Sequence, residues 1–208
     1  MKRPEFLAQQ ARRPSGALGW LLGTIMSHET TAVNVATLAA LELQPADRVL
    51  EIGFGHGRAI ERAAKTVTEG TICGIDFSET MVHMASRRCR RLIEQGRVKL
   101  ELGDSSRLSY PDVSFDKVYS VHTIYFWPKP AEQLREIQRV LRPGGRLALG
   151  VRKKSPDGGT GNFPESVYTF YDTQQITELL VESGFNHVEA MDVPGGGGHF
   201  AVIVAVRS

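Results

Sequence analysis

Cysteine is scarce: the 208 residues hold only Cys73 and Cys89, too few for a disulfide framework or a cysteine metal cluster. Both fall in apolar-periodic stretches, where a free thiol packs as a small hydrophobe. Long apolar runs are missing too. The stripe Leu18, Leu21, Leu22, Ile25 and Met26 has amphipathic-helix spacing but falls far short of the roughly 20 apolar residues a membrane span needs. No charged-then-apolar secretory start appears, and Met1 to Arg13 is polar with scattered charge, so no targeting segment is expected and the protein reads as cytoplasmic. Charge of one sign is lacking as well: 25 Lys and Arg against 23 Asp and Glu leave +2, which favours anionic partners weakly and does not require nucleic acid. With 41% hydrophobic and 23% charged residues, neither disorder nor membrane residence is indicated.

What is present has a clear order. One domain, 45–208, with an N-terminal helical extension or lid, 1–44, is the economical division of this length. Pro14-Ser15-Gly16 breaks the chain before the Leu18 to Met26 stripe, and a second short helix covers about Glu29 to Leu41. From Gln44 onward short apolar runs alternate with helical stretches, the pattern of a parallel sheet wrapped by helices. The expected strands are Arg48 to Ile52, Thr71 to Ile75, Val98 to Leu102, Lys117 to Val121 and Arg146 to Val151. The expected helices are Arg58 to Thr66, Ser78 to Glu94 and Ala131 to Leu141, the last stopped by the turn Arg142-Pro143-Gly144-Gly145. A helix near Thr173 to Ser183, ended by Gly184, precedes strands at about His187 to Val193 and Phe200 to Val206. Their short, helix-free connection through Gly195 to Gly198 makes them antiparallel. The expected fold is α/β: a Rossmann-like, doubly wound, seven-stranded sheet with the last strand antiparallel.

The first strand ends in Glu51-Ile52-Gly53-Phe54-Gly55-His56-Gly57 and opens a helix, which brings backbone N–H groups close to a ligand. A dinucleotide fingerprint with glycines at 53 and 55 requires a third at 58, where Arg58 stands instead. Glu51 shares a strand face with Gly53 by period-2 geometry. An acid there repels a pyrophosphate and suits a ligand carrying positive charge. Asp76 ends the second strand about 20 residues past the turn, the offset that takes the two hydroxyls of a ribose. Asp104, closing the third strand, is placed to accept from an adenine amino group.

These residues resemble the class I S-adenosylmethionine-dependent methyltransferase family, as found in small bacterial enzymes acting on small molecules. The resemblance covers about Asp47 to Val151, through Val49 to Gly57, Gly74-Ile75-Asp76-Phe77-Ser78, Gly103-Asp104, Phe115 to Ser120 and Leu141 to Gly145. It implies S-adenosylmethionine as cofactor, with Glu51 and room made by Gly53, Gly55 and Gly57 at its methionine end and Asp76 at its ribose. Phe77 and Met81 would sandwich adenine, Asp104 and Ser105 would reach its edge, and Val121 would lie beneath. Plain core packing is the competing account of Phe77 and Met81.

In an open parallel sheet, ligands sit beyond the carboxyl ends of the strands, so the second substrate faces His122 to Trp127, Arg152 to Asn162 with Tyr168 and Tyr171, and His199. Methyl transfer is a direct displacement in which positioning does much of the work and a base is optional. For a hydroxyl acceptor, His122 and His199 are the candidate bases, with Tyr125 as an orienting group. His28 and Asn34 would belong to a lid over the cofactor. Val121-His122-Thr123-Ile124-Tyr125 lacks the Asn/Asp-Pro-Pro-aromatic run of amino-methylating relatives and the acid of metal-dependent catechol-type ones, so no metal is expected. Two core-like cysteines argue against arsenite methylation. Arg87, Arg88, Arg90 and Arg91 avoid the apolar stripe of their helix and read as a solvated face, while Lys153 and Lys154 are placed to meet a polar or anionic acceptor. The expected activity is methylation of a small molecule, at oxygen before nitrogen or carbon. An RNA-modifying enzyme, a non-catalytic cofactor-binding module and an NAD-dependent oxidoreductase are the alternatives.

Overall fold

A computed structural model describes residues 4–16, 31–154, 162–193 and 199–208. The Leu18 to Met26 stripe, His28 and the glycine run Gly195 to Gly198 lie outside the described residues.

The elements in order are α1 (Glu5–Arg12), α2 (Thr31–Ala40), β1 (Arg48–Ile52), α3 (Arg58–Ala63), β2 (Thr71–Asp76), α4 (Glu79–Arg88), α5 (Arg90–Glu94), β3 (Val98–Leu102), β4 (Phe115–Val121), α6 (Pro130–Val140), β5 (Leu141–Arg152), α7 (Thr173–Glu182), β6 (Phe185–Asp192) and β7 (Phe200–Arg207). A 3-10 turn, Ile124–Phe126, follows β4. The strands form one seven-stranded sheet in the order β3-β2-β1-β4-β5-β7-β6. β1 to β5 pair in parallel, and β7 runs antiparallel to both β5 and β6.

Alternation along the strands divides the interior into two cores, one on each sheet face. Leu50, Ile75, Val118, Leu147, Leu149 and Ile203 meet Leu134 and Ile137 of α6, Ile176 and Leu180 of α7, and Ala8 of α1. Val49, Ile72, Tyr119, Ala148 and Val202 meet Val33 and Leu38 of α2, Ile60 of α3 and Ala85 of α4. The two described helices of the N-terminal extension therefore lie on opposite faces. α2 is built into the sheet's core, because Gly150 lets Thr37 and Val33 lie where a side chain would be.

Three expectations change in detail. The single helix expected over Ser78 to Glu94 is two, α4 and α5, divided at Cys89, whose φ and ψ of −89° and 10° leave the helical region. Cys89 Sγ donates to Gly57 O at 3.7 Å, so the break seats the thiol against the glycine turn. Arg142 to Gly145 lies inside β5 rather than ahead of it: Phe115 pairs with Leu141 and Lys117 with Arg146, so these residues bulge out between two ladder positions. Gly144 makes the bulge at φ +72°, and Arg142 reaches Asp116 at 2.6 Å. α1 was not expected at all. Among the described residues no helix is long and apolar enough to cross a membrane.

Candidate functional site at the carboxyl edge of the sheet

β1 and β4 diverge into loops at the switch point, where the strand order reverses, and a cavity of about 260 Å³ opens there. It is walled by the glycine turn, the ends of β2 and β4, the loop after β3, and Ala11, Arg12 and Pro14 at the end of α1. Of the anticipated cofactor residues, Glu51, Gly53, Gly55, Asp76, Phe77, Met81, Asp104, Ser105 and Val121 all line it, as does Asn34 of α2.

Gly57 does not. It caps α3 at φ +83°, and a Cβ there would lie 3.0 Å from Ala85 Cβ and 3.3 Å from Cys89 Sγ, so it is the point where α3 and α4 approach closely. Gly53, at φ +71°, has no space for a side chain because the Thr123 methyl occupies it. Ser120 Oγ donates to Ile52 O at 2.8 Å and meets Thr123 Oγ1, tying the ends of β1 and β4 together beneath this contact.

The hydrogen bonds of the glycine turn decide what it can bind. Gly53 N–H donates to Ile75 O at 2.8 Å, Gly55 N–H to Asp76 Oδ2 at 2.9 Å, and Gly57 N–H to Phe54 O at 3.0 Å. All three glycine amides are bonded within the protein, so none of the three is left to cradle a phosphate. Asp76 Oδ1 also accepts from Ser78 N–H at 2.9 Å. Burial pushes the Asp76 carboxyl up against these amide bonds, which pull it down. A carboxylate has about four acceptor positions, so room remains for a ligand's hydroxyls.

Glu51 is only 3% exposed, yet it lines the cavity. Its Oε2 accepts from the buried Tyr119 hydroxyl at 2.7 Å, a pairing set by the β1–β4 register, in which Glu51 lies opposite Tyr119. Burial raises the Glu51 carboxyl to about 8, the Tyr119 bond opposes this, and the charge of Asp76 adds to it. No cation among the described residues forms an ion pair with it. A buried acid with no ion pair among the described residues, beside a turn whose glycine amides are spoken for, fits a ligand bearing a positive charge and a diol, as the cofactor's ammonium, sulfonium and ribose would be.

At the far edge, Phe77 is 37% exposed with the Arg13 guanidinium carbon 5.9 Å from its ring centroid, whereas Met81 is buried. Ser78 Oγ donates to Pro14 O at 2.6 Å, which pins the segment after α1 across the mouth. Asp104 lies two residues beyond β3, exposed, with Oδ1 accepting from Ser106 N–H at 2.8 Å. Gln133 of α6 also lines the cavity at 3% exposure, with no partner for its Oε1.

His122, Thr123, Phe126 and Trp127 continue the wall after β4. His122 holds the left-handed conformation, φ 59°, sparsely populated for residues other than glycine. Tyr125 is buried behind it: its Oη accepts from Arg152 N–H at 2.7 Å and lies 2.6 Å from His122 Nδ1. The arrangement in which the Tyr125 O–H donates to Nδ1 gives the buried hydroxyl proton an acceptor and places the imidazole proton on Nε2. Burial, then the Arg152 charge, lowers His122 to about 4. His199 lies elsewhere: it is exposed, outside the cavity lining, and its carbonyl accepts from Lys153 N–H at 2.8 Å. Lys153 itself is paired with Asp192 at 2.7 Å. Of the four arginines near α5, Arg88 reaches Glu61 and His56 O, and Arg90 reaches Glu94, in keeping with a solvated face.

The residues overlooked in the sequence are Tyr119, Gln133 and the end of α1. Only the β1–β4 register could have revealed Tyr119, and α1 buries little more than Ala8.

Residues 50–149 match the family described as methyltransferase domain. The chain is 38% identical over 125 residues to the 27-O-demethylrifamycin SV methyltransferase of Amycolatopsis mediterranei (strain S699), covering 60% of this chain and 46% of that one. It is 30% identical over 169 residues to the uncharacterized methyltransferase YdaC of Bacillus subtilis (strain 168), covering 81% of this chain and 88% of that one. It is 32% identical over 157 residues to phosphoethanolamine N-methyltransferase 1 of Arabidopsis thaliana, covering 73% and 31%. The chain thus spans less than half the length of several curated relatives. Among solved structures, a SAM dependent methyltransferase from Aquifex aeolicus superposes with a TM-score of 0.73 at 21% identity, covering 100% of both chains, a likeness of fold.

Proposed function

The chain belongs to the class I S-adenosylmethionine-dependent methyltransferase family, and from that premise we propose that it methylates a small-molecule acceptor at a hydroxyl oxygen. Its cofactor is S-adenosylmethionine. The observation that carries the reading is the glycine turn, its three glycine amides bonded internally, beside the buried Glu51, which has no ion pair among the described residues. Glu51 would hold the cofactor's ammonium, Asp76 its ribose, and Phe77 and Met81 its adenine, with Asp104 and Ser105 at the adenine edge. When bound, the cofactor supplies a methyl group activated by a sulfonium.

At the acceptor end His122 presents an N–H, because Tyr125 holds Nδ1. An oxygen has two lone pairs, so it can accept that N–H with one and attack with the other. An amine has one, and bonding it to His122 would remove the attacking pair. This favours oxygen, as does the relative named for an O-demethylated acceptor, while the N-methyltransferase relative keeps nitrogen as the second possibility. A histidine lowered to about 4 is a poor holder of a proton at neutral pH, so His122 and Tyr125 orient and the acceptor's proton leaves to solvent. α1 serves as the lid, with Ala11, Arg12 and Pro14 excluding water from the cofactor.

Calorimetric titration with S-adenosylmethionine tests the cofactor assignment; heat with NAD and none with S-adenosylmethionine overturns it. Extracts incubated with the protein should yield a product one methyl heavier, lost with Asp76→Ala. With that acceptor in hand, His122→Ala should lower kcat by about tenfold or more while His199→Ala leaves it unchanged. An unaltered kcat in His122→Ala removes the orienting role.

A further inference from the structure

β5 carries Arg142, Arg146 and Arg152 and leads into Lys153 and Lys154; three of these five cations are matched, Arg142 with Asp116 at 2.6 Å, Arg146 with Glu42 at 2.6 Å and Lys153 with Asp192 at 2.7 Å, and of the two without an ion pair among the described residues only Arg152 is seated on aromatic rings. Among the described residues no carboxylate meets its guanidinium, whose central carbon instead lies 5.1 Å from the Phe163 ring centroid and 5.4 Å from that of Phe200. Arginine tolerates such a seat because its planar, weakly hydrated cation stacks on aromatic faces. Among the described residues the Arg152 guanidinium N–H groups meet no acceptor, and such groups match carboxylate and phosphate oxygens in pairs.

Phe200 also links Arg152 to the orienting histidine. Phe200 packs edge-on against the His122 ring, with centroids 5.5 Å apart, and the Arg152 main-chain N–H anchors Tyr125. Arg152, Phe200, His122 and Tyr125 form one connected cluster at the carboxyl end of β4 and β5, in which His122 lines the cavity and Arg152 and Phe200 lie behind it, on the side of the sheet away from Glu51 and Asp76. The Arg152 charge is felt at His122, where it adds to burial in disfavouring the imidazolium. A cation held by two rings, with no counter-charge among the described residues and close to the orienting histidine, is what an anionic acceptor requires, and plain core packing does not require the charge.

We propose that Arg152, caged by Phe163 and Phe200, is an anion-binding residue of the acceptor subsite, and that the acceptor carries a carboxylate or a phosphate. That this anion belongs to the methyl acceptor rests on the function proposed above; the anion site itself does not. Lys153, expected from the sequence to meet such an acceptor, is occupied by Asp192.

The test is calorimetric titration of benzoate, phenyl phosphate and benzyl alcohol into the wild-type protein, Arg152→Gln and Arg152→Lys, each with and without saturating S-adenosylhomocysteine. At least one anion should bind about tenfold or more tightly than benzyl alcohol, and Arg152→Gln should remove that advantage while leaving benzyl alcohol within about twofold. Arg152→Lys should keep part of it. Whichever anion wins identifies carboxylate or phosphate. Anions bound no tighter than benzyl alcohol by the wild-type protein, or equally well by Arg152→Gln, overturn the proposal. Should Arg152→Gln fail to fold, the wild-type comparison of benzoate with benzyl alcohol and the Arg152→Lys titration decide it. Absence of heat with S-adenosylhomocysteine speaks against the cofactor site alone, since the anion titrations without it still decide on Arg152.

Discussion

Glu51 is the residue on which the cofactor site turns. A carboxyl raised to about 8 by burial is mostly protonated at neutral pH in the empty protein, and a ligand ammonium would draw the proton off. Binding then releases a proton, so affinity for S-adenosylhomocysteine should rise by up to about tenfold per pH unit between roughly pH 6 and 7.5. Calorimetry in buffers of different ionisation heat measures the release directly, and Glu51→Gln should give a flat profile with weaker binding. The sign for folding is opposite. Because the native acid holds its proton above the unfolded value of 4.5, its contribution to stability is lost as pH rises from there through about 8. The acid at 51 was legible in the sequence from its spacing to Gly53, but its protonation was not, since Tyr119 reaches it only through strand pairing.

At the scale of elements, the contact of α3 with α4 depends on the absence of one methyl group. Gly57→Ala would combine a left-handed backbone with a Cβ pressed on Ala85, together costing about 2–4 kcal/mol. Thermal unfolding should fall by roughly 5–15 °C. Ala85→Gly in the same chain should recover only part, because it relieves the collision and not the φ. α1 makes a different prediction: deleting residues 1–13 should weaken S-adenosylhomocysteine binding by about tenfold or more while lowering the unfolding temperature by only a few degrees, since the helix buries Ala8 but walls the cavity. Unchanged affinity would remove the lid. Helix and strand periods made most elements legible, and the misjudged boundaries share a cause. Cys89 interrupts a helix whose apolar spacing continues past it, and Arg142 to Gly145 looks like a turn because proline and glycine punctuate turns and bulges alike.

Across the whole molecule, a ligand that binds only the folded chain must stabilise it. S-adenosylhomocysteine at about 100 times its dissociation constant should contribute roughly 2.7 kcal/mol and raise the unfolding temperature by about 5–10 °C. NAD at the same concentration should do nothing, since the turn's three glycine amides are already bonded within the protein and Arg58 stands where a dinucleotide site has its third glycine. The doubly wound order was legible because alternating periods imply crossovers, whereas the acceptor end was not. Its cluster joins His122, Arg152, Phe163 and Phe200 from four separate stretches, and no local pattern announces their meeting. The switch point between β1 and β4 thereby separates the residues proposed for the cofactor from the cluster proposed for the acceptor. Glu51, the glycine turn and Asp76 belong to one half of the sheet, and Arg152 and its rings to the other. Substitutions that retune which molecule is accepted can accumulate in the second half without touching the first, so descendants of this chain can change customers while keeping the same donor.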